Sequence, residues 1–164
     1  MEPVNKLGRY VHKINQQGPW LRSWLLTQLF GRAIKFAGTA SVQVAELDFS
    51  HSLLKLRNKT KVQNHIGSVH AAAMSLLGES ASGFLVGVHV PDDRIPLLKS
   101  MHLDYVKRAS GDLTAQAQLS EEQIHFIRST EKGEISIKVQ ITDSVNVEPV
   151  LADFVWAWVP KKRN

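Results

Sequence analysis

The stretch from about Ser68 to Val86 constrains this chain more than any other, because it reads as a helix that is apolar or small on nearly every face. Ala71-Ala72-Ala73-Met74 runs into Leu76-Leu77-Gly78 and then Phe84-Leu85-Val86. A helix without a polar side must be buried all round. The longest uninterrupted apolar runs are only a few residues, far short of the roughly 20 needed to cross a bilayer, so protein rather than lipid has to supply the cover. Within one chain only a strongly curved sheet can wrap most of such a helix.

The rest of the sequence provides the strands. Ala40, Val42 and Val44 alternate with Ser41 and Gln43, and a second strand falls at about Leu53 to Arg57, with Asp48 to Ser52 as the hairpin turn. A polar loop, Asn58 to His65, leads into the helix. After it Met101, Leu103 and Tyr105 alternate, Ala109 to Asp112 turns the chain, and Leu113, Ala115, Ala117 and Leu119 alternate again. A short helix is expected around Glu121 to Arg128. Two strands follow, Ile135 to Ile141 and Val150 to Trp158, joined by a turn at Asp143 to Asn146. The order predicts an α+β hotdog fold: a curved antiparallel sheet around one long central helix, with an exposed flank of that helix left for a second molecule.

Before the sheet, Gly18-Pro19 opens a segment to Phe36 in which Leu21, Trp24, Leu25, Leu29, Ile34 and Phe36 recur at helical spacing. The expected division is therefore an N-terminal helical extension (1–36), one domain (37–160) and a basic tail (161–164). No acid occurs from Pro3 to Ala45, against Lys6, Arg9, Lys13, Arg22, Arg32 and Lys35. Such a segment fits a transit peptide or a membrane-surface helix. A helix packed along the domain is the preferred reading. No secretory cleavage site follows it, and a cytoplasmic location is expected.

At 164 residues and 43% hydrophobic content the chain has one core, not two. Zero cysteines exclude disulfides, thiolate nucleophiles and cysteine-based metal sites. The histidines show no His-Glu-x-x-His spacing, so no metal is expected. Gly78 to Gly83 does not form a nucleophile elbow, since Ser82 stands inside a helix. Lys55, Arg57, Lys59 and Lys61 cluster in an acid-free stretch that suits a phosphorylated small ligand. They lack aromatic neighbours for base stacking, so no nucleic-acid partner is expected.

Glu79 is the only carboxylate between Asp48 and Asp92 and sits mid-helix among Leu76, Leu77, Gly78, Ala81 and Phe84. An ionised group there is costly unless it reaches water or a base such as Lys99. Desolvation would raise its pKa and suit it to work as a general base or nucleophile near neutral pH. At the helix start the first-turn N–H groups are unpaired, and Ala71, Ala72 and Ala73 let a ligand oxygen approach them. His70 either caps the helix or acts in catalysis, and Asn64 is either a turn residue or a polar site group.

Asn64-x-x-Gly67-x-x-His70-Ala71, with an acid eight positions after Ala71, resembles the signature of hotdog acyl-CoA thioesterases of the phenylacetyl-CoA thioesterase type. Asn64-His65-Ile66-Gly67-Ser68 looks most like an uncharacterised bacterial subfamily, and the resemblance covers about Thr39 to Val159. It implies Glu79 as catalytic acid, the Ala71 N–H as carbonyl polariser, Asn64 as holder of water or thioester, and His70 as the motif histidine. The family's Gly-Gly is Ala71-Ala72 here, and its water-orienting Ser or Thr on the third strand falls at Leu98, with Ser100 nearby.

Ala71 and Glu79 lie about 12 Å apart along one helix, too far to act on one carbonyl. A composite site at a homodimer interface follows, with assembly into tetramers left open. The expected function is hydrolysis of an acyl or aryl thioester, with coenzyme A present only as part of the substrate, or of an acyl-carrier thioester. Gly67, Arg57, Lys59, Lys61 and Met74 are the expected substrate-binding residues, the three bases taking the phosphates. Met74, Leu77 and Phe84 are the expected acyl-pocket lining. No cofactor and no integral membrane contact are expected. The alternative is a non-catalytic hotdog module that binds acyl-CoA or a protein.

Overall fold

The computed structural model describes residues 1–162; Arg163 and Asn164 of the expected basic tail lie outside the described residues. Three helices come first, α1 (Lys6–Asn15), α2 (Pro19–Ala33) and α3 (Lys35–Ala40). The strands are β1 (Gln43–Leu47), β2 (His51–Leu56), β3 (Arg94–Tyr105), β4 (Leu113–Gln118), β5 (Gly133–Asp143) and β6 (Val150–Pro160). Between β2 and β3 runs α4 (Ala71–Gly87), and α5 (Glu121–Ser129) joins β4 to β5. The six strands form one antiparallel sheet in the order β1-β2-β4-β5-β6-β3, and α4 packs across its inner face. This is the hotdog arrangement.

The core is the contact between α4 and the alternating inward residues of the sheet. Leu113, Ala115 and Ala117, then Ile137, Val139 and Ile141, then Phe154 and Trp158 are all buried, as are Leu77, Ala81 and Leu85 of the helix. Glycines set how closely the two layers approach. A Cβ on Gly78 would come within 2.7 Å of the Phe154 ring, and one on Gly83 within 2.5 Å of Trp156. Two polar groups buried at this contact are paired: Ser52 donates to the Ala81 carbonyl (2.8 Å), and the Trp156 indole donates to Ser82 Oγ (2.9 Å).

The N-terminal region departs from the single expected helix. α1 precedes it, and Ile34 breaks the expected Pro19–Phe36 segment, so α3 carries the chain to Ala40, where a strand had been expected to begin. Asn5 fixes α1: its Oδ1 accepts from the Gly8 N–H (2.6 Å), and its Nδ2 donates to the carbonyls of Gly87 and Val90. α2 lies along β1, where Ser23 Oγ donates to the Val44 carbonyl and Thr27 Oγ1 accepts the Val44 N–H.

β3 is longer than its alternating stretch Met101–Tyr105. It starts at Arg94 and contains a bulge, since Leu98 pairs with Trp156 while Ser100 pairs with Val155, leaving Lys99 as the extra residue. As an edge strand it exposes residues expected to be inward, Met101 at 50% and Tyr105 at 47%. Ile95 and Leu97 are exposed on the same strand.

Candidate active site

The loop that enters α4 is held from inside. Asn64 Oδ1 accepts the N–H groups of Ile66 (3.0 Å) and Ser68 (3.1 Å), closing a turn in which Gly67 takes φ +75°, a left-handed conformation that favours glycine. Asn58 Nδ2 donates to the Gly67 carbonyl. Arg108, just past β3, donates from Nε to Ser68 Oγ (3.1 Å) and from Nη2 to the Ile66 carbonyl (3.2 Å).

His70, not Ser68, is the N-cap of α4, and its Nδ1 accepts the Ala72 N–H at 3.0 Å. Ala73 and Met74 donate to the His70 carbonyl, which leaves the Ala71 N–H as the first-turn amide outside this set. The Ala71 carbonyl is fixed from the edge strand, because the Tyr105 hydroxyl donates to it at 2.9 Å and lies 3.0 Å from Ser75 Oγ. Of His70's two readings, the capping contact is the one the geometry contains. For Asn64 the side-chain oxygen serves the turn.

Farther along α4, Ala71, Ser75, Glu79, Gly83 and Gly87 recur every four residues and form its least covered stripe. Glu79 is partly buried there, and desolvation raises its carboxyl above the ordinary value. Lys99 does not pair with it but with Glu134, and among the described residues no base forms an ion pair with Glu79. The carboxylate borders an apolar pocket of about 220 Å³ walled by Leu7, Phe30, Ile34, Phe84, Pro96 and Trp156. A pocket of about 240 Å³ opens at the helix start, lined by Phe36, Lys61, His70, Ala72 and Ala73, and Leu76 lines both.

The other expected residues divide between these places and elsewhere. Lys61 reaches the helix-start pocket, its Nζ held by the Thr39 carbonyl and Ser41 Oγ, both at 2.6 Å. Lys59 lines a separate hollow against α2 with Gln28 and Arg32, and Arg57, just past β2, is exposed and lines neither. Met74 and Leu77 are buried in the core and line neither pocket, whereas Phe84 does line the Glu79 pocket. Trp158 is core, but Trp156 also borders the Glu79 pocket. Sequence reasoning missed Tyr105 as a helix-start residue, Arg108, and the walls from α1 and α2. Leu7, Val11 and Ile14 at helical spacing after the capping Asn5 were a usable signal for α1; nothing local marked Tyr105 or Arg108. A larger hollow, about 650 Å³, is an open depression over β4–β6 lined by Gln116, Lys138 and Leu151 among others, and it holds none of these groups.

Residues 22–159 match the family model described as Domain of unknown function (DUF4442). No curated protein matches the chain. Among solved structures, the chain is similar to a Pseudomonas aeruginosa protein of unknown function described as a probable thioesterase, with 25% identity, 84% of this chain and 95% of that chain covered, and a TM-score of 0.74. It shares its fold with a thioesterase of Haemophilus influenzae, at 10% identity, 84% and 90% coverage and a TM-score of 0.68. A mutant of another Pseudomonas aeruginosa thioesterase superimposes with a TM-score of 0.68 at 13% identity, over 82% of this chain and 94% of that one.

Proposed function

The chain belongs to the DUF4442 family, and on that premise we propose that it is a thioesterase that hydrolyses acyl thioesters at a site shared between two copies. The observation that carries this reading is Glu79: a carboxylate raised by burial, without an ion-pair partner among the described residues, beside an apolar pocket on the open stripe of α4. A carboxylate perturbed in this way beside an apolar pocket suits a base acting on a thioester. The thioesterase neighbours of the same fold supply independent support.

In this mechanism the thioester carbonyl rests against the Ala71 N–H at the positive end of α4, where fixed dipoles stabilise the developing oxyanion. Glu79 comes from the partner, because within one chain the two groups are about 12 Å apart. Glu79 takes a proton from water as the water oxygen bonds to the carbonyl carbon; the C–S bond then breaks and the thiolate leaves with that proton as a thiol. Direct attack by the carboxylate, through an anhydride that water opens, ends in the same products. In this reading Lys61 at the helix-start pocket, together with Lys59 and Arg57, takes the phosphates of a coenzyme A or carrier arm. An aryl or acyl group enters the Glu79 pocket, and the extension of residues 1–36 then serves the domain of 37–160 as a pocket wall through Leu7, Phe30 and Ile34.

Two features favour a non-catalytic acyl-binding module as the second reading: Ala71-Ala72 narrows the approach to the helix start, and the Asn64 oxygen is occupied by its own loop. Thiol release from aryl, short, medium and long acyl-CoAs, comparing wild type with Glu79→Gln at matched oligomer content, separates the two. Turnover reduced by about 10²-fold or more in the variant supports the thioesterase. Wild-type protein that binds these thioesters without turning them over supports the module.

A further inference from the structure

α2 buries one face and leaves an apolar one outside. Ser23, Leu26, Thr27 and Phe30 point to the domain, while Trp20 and Trp24, one turn apart, are 79% and 51% exposed and Leu21 is exposed beside them. At the α2–α3 break Ile34 and Phe36 turn toward the two α4 pockets, and Lys35 between them is exposed. Isolated apolar side chains on a surface are ordinary, but two tryptophans and a leucine exposed together in the first turns of α2 are a patch.

The charge around the patch says what covers it. From Pro3 to Ala45 the chain has no acid. The side chains of Lys6, Lys13, Arg32 and Lys35 are exposed and form no ion pair among the described residues, while Asp92 pairs with the Arg9 guanidinium at 3.7 Å and accepts the Lys6 backbone N–H. A second copy of this chain would bring the same positive field against itself. An anionic bilayer surface meets both requirements: tryptophans settle at the headgroup boundary, and lysine and arginine pair with acidic headgroups. No helix among the described residues is long and apolar enough to cross a membrane, so the contact lies in the interface plane.

We propose that the outer face of α2, through Trp20, Trp24 and the bases that flank them, docks this protein on anionic lipid bilayers. This does not depend on the chemistry at Glu79. The test is co-sedimentation of the full chain with vesicles of phosphatidylcholine alone or with 40% phosphatidylglycerol, together with tryptophan emission. Trp156 and Trp158 are buried, so a blue shift on vesicle addition reports Trp20 and Trp24. The expected result is binding to anionic vesicles that falls by about tenfold in Trp20→Ser/Trp24→Ser, falls likewise in Arg32→Glu/Lys35→Glu, and weakens with added salt. Both variants alter exposed side chains, and their circular dichroism and melting check that they fold. Wild type that ignores anionic vesicles, or variants that bind as well as wild type, would overturn the proposal. So would a tryptophan variant that drops to a smaller oligomer in sedimentation velocity, which would assign the face to a second copy.

Discussion

Tyr105 of the edge strand β3 donates its hydroxyl to the carbonyl of Ala71 at 2.9 Å, tying the first residue of the central helix to the open edge of the sheet. The bond lies on the side of α4 that the sheet does not close, so it ties the first turn of the helix to the edge strand. Tyr105→Phe keeps the ring and removes the bond. Stability should change by at most about 1 kcal/mol, since the ring is half exposed. Under the proposed chemistry kcat should fall several-fold while KM moves little; a variant with unchanged kcat would show that the helix start holds without this tie.

Glu79→Gln makes a stability prediction separate from turnover. Burial raises the folded carboxyl above its ordinary value of 4.5, so the folded state holds its proton more tightly than the unfolded state. The ionised side chain therefore costs stability, and that cost develops as pH rises through 4.5 and is complete above the raised folded value. Glutamine does not ionise. The variant should melt higher than wild type at pH 7, with the gap closing below pH 4.5; a lower melting temperature at pH 7 would mean that Glu79 has a favourable partner in the folded protein.

His89 carries the opposite dependence. It is fully buried; its Nε2 lies 2.7 Å from the Phe49 carbonyl, and its Nδ1 faces the Arg128 guanidinium at 3.0–3.1 Å. Arg128 can only donate, so Nδ1 accepts and Nε2 carries the hydrogen: the ring is neutral. Burial first, then the charge of Arg128, lowers its pKa from 6.5 to about 4, against the opposing pull of the Phe49 carbonyl and Asp48. The unfolded state then binds the extra proton between those limits, and stability is lost as pH falls from 6.5 to 4, by up to roughly 3 kcal/mol. Denaturant unfolding across that range should show the slope in wild type and a flatter one in His89→Gln. Equal slopes would assign the acid sensitivity to other groups.

Gly83→Ala should destabilise although alanine is the better helix former. The added methyl would sit 2.5 Å from Trp156 Cζ2, and the indole is held in place by its bond to Ser82. Overpacking of this kind costs roughly 1–3 kcal/mol, more than the ~1 kcal/mol of helix propensity gained. A melting temperature equal to or above that of wild type would mean that the ring can retreat.

Much of the architecture was legible because burial imposes a period. β4, β5 and β6 alternate visibly since one face of each packs on α4, and α4 is apolar on most sides because all but one stripe of it is covered. β3 was read only in part: as an edge strand with a bulge at Lys99 it is not held to alternation, and Met101 and Tyr105 proved exposed. The helix-start loop was legible through Asn64, Gly67 and His70, whose side chains or backbone act on near neighbours. Tyr105 and Arg108 act across 34 to 42 positions, and no local pattern encodes a contact of that range. The walls that α1 and α2 give the Glu79 pocket are hidden for the same reason.

The separation of Ala71 and Glu79 along one rigid helix gives the sharpest test of a shared site. If each site joins one copy's helix start to its partner's Glu79, a chain with Glu79→Gln still offers an intact helix start, and a chain with Asn64→Ala still offers an intact carboxylate. Asn64→Ala removes the acceptor for the Ile66 and Ser68 N–H groups and so loosens the loop before His70. Each variant alone should be nearly inactive in thioester hydrolysis. Co-expressed in equal amounts they form half heterodimers, each with one of its two sites intact, so about a quarter of wild-type activity should return. Mixed dimers isolated by two affinity tags and found as inactive as either parent would place both groups of a working site in a single chain.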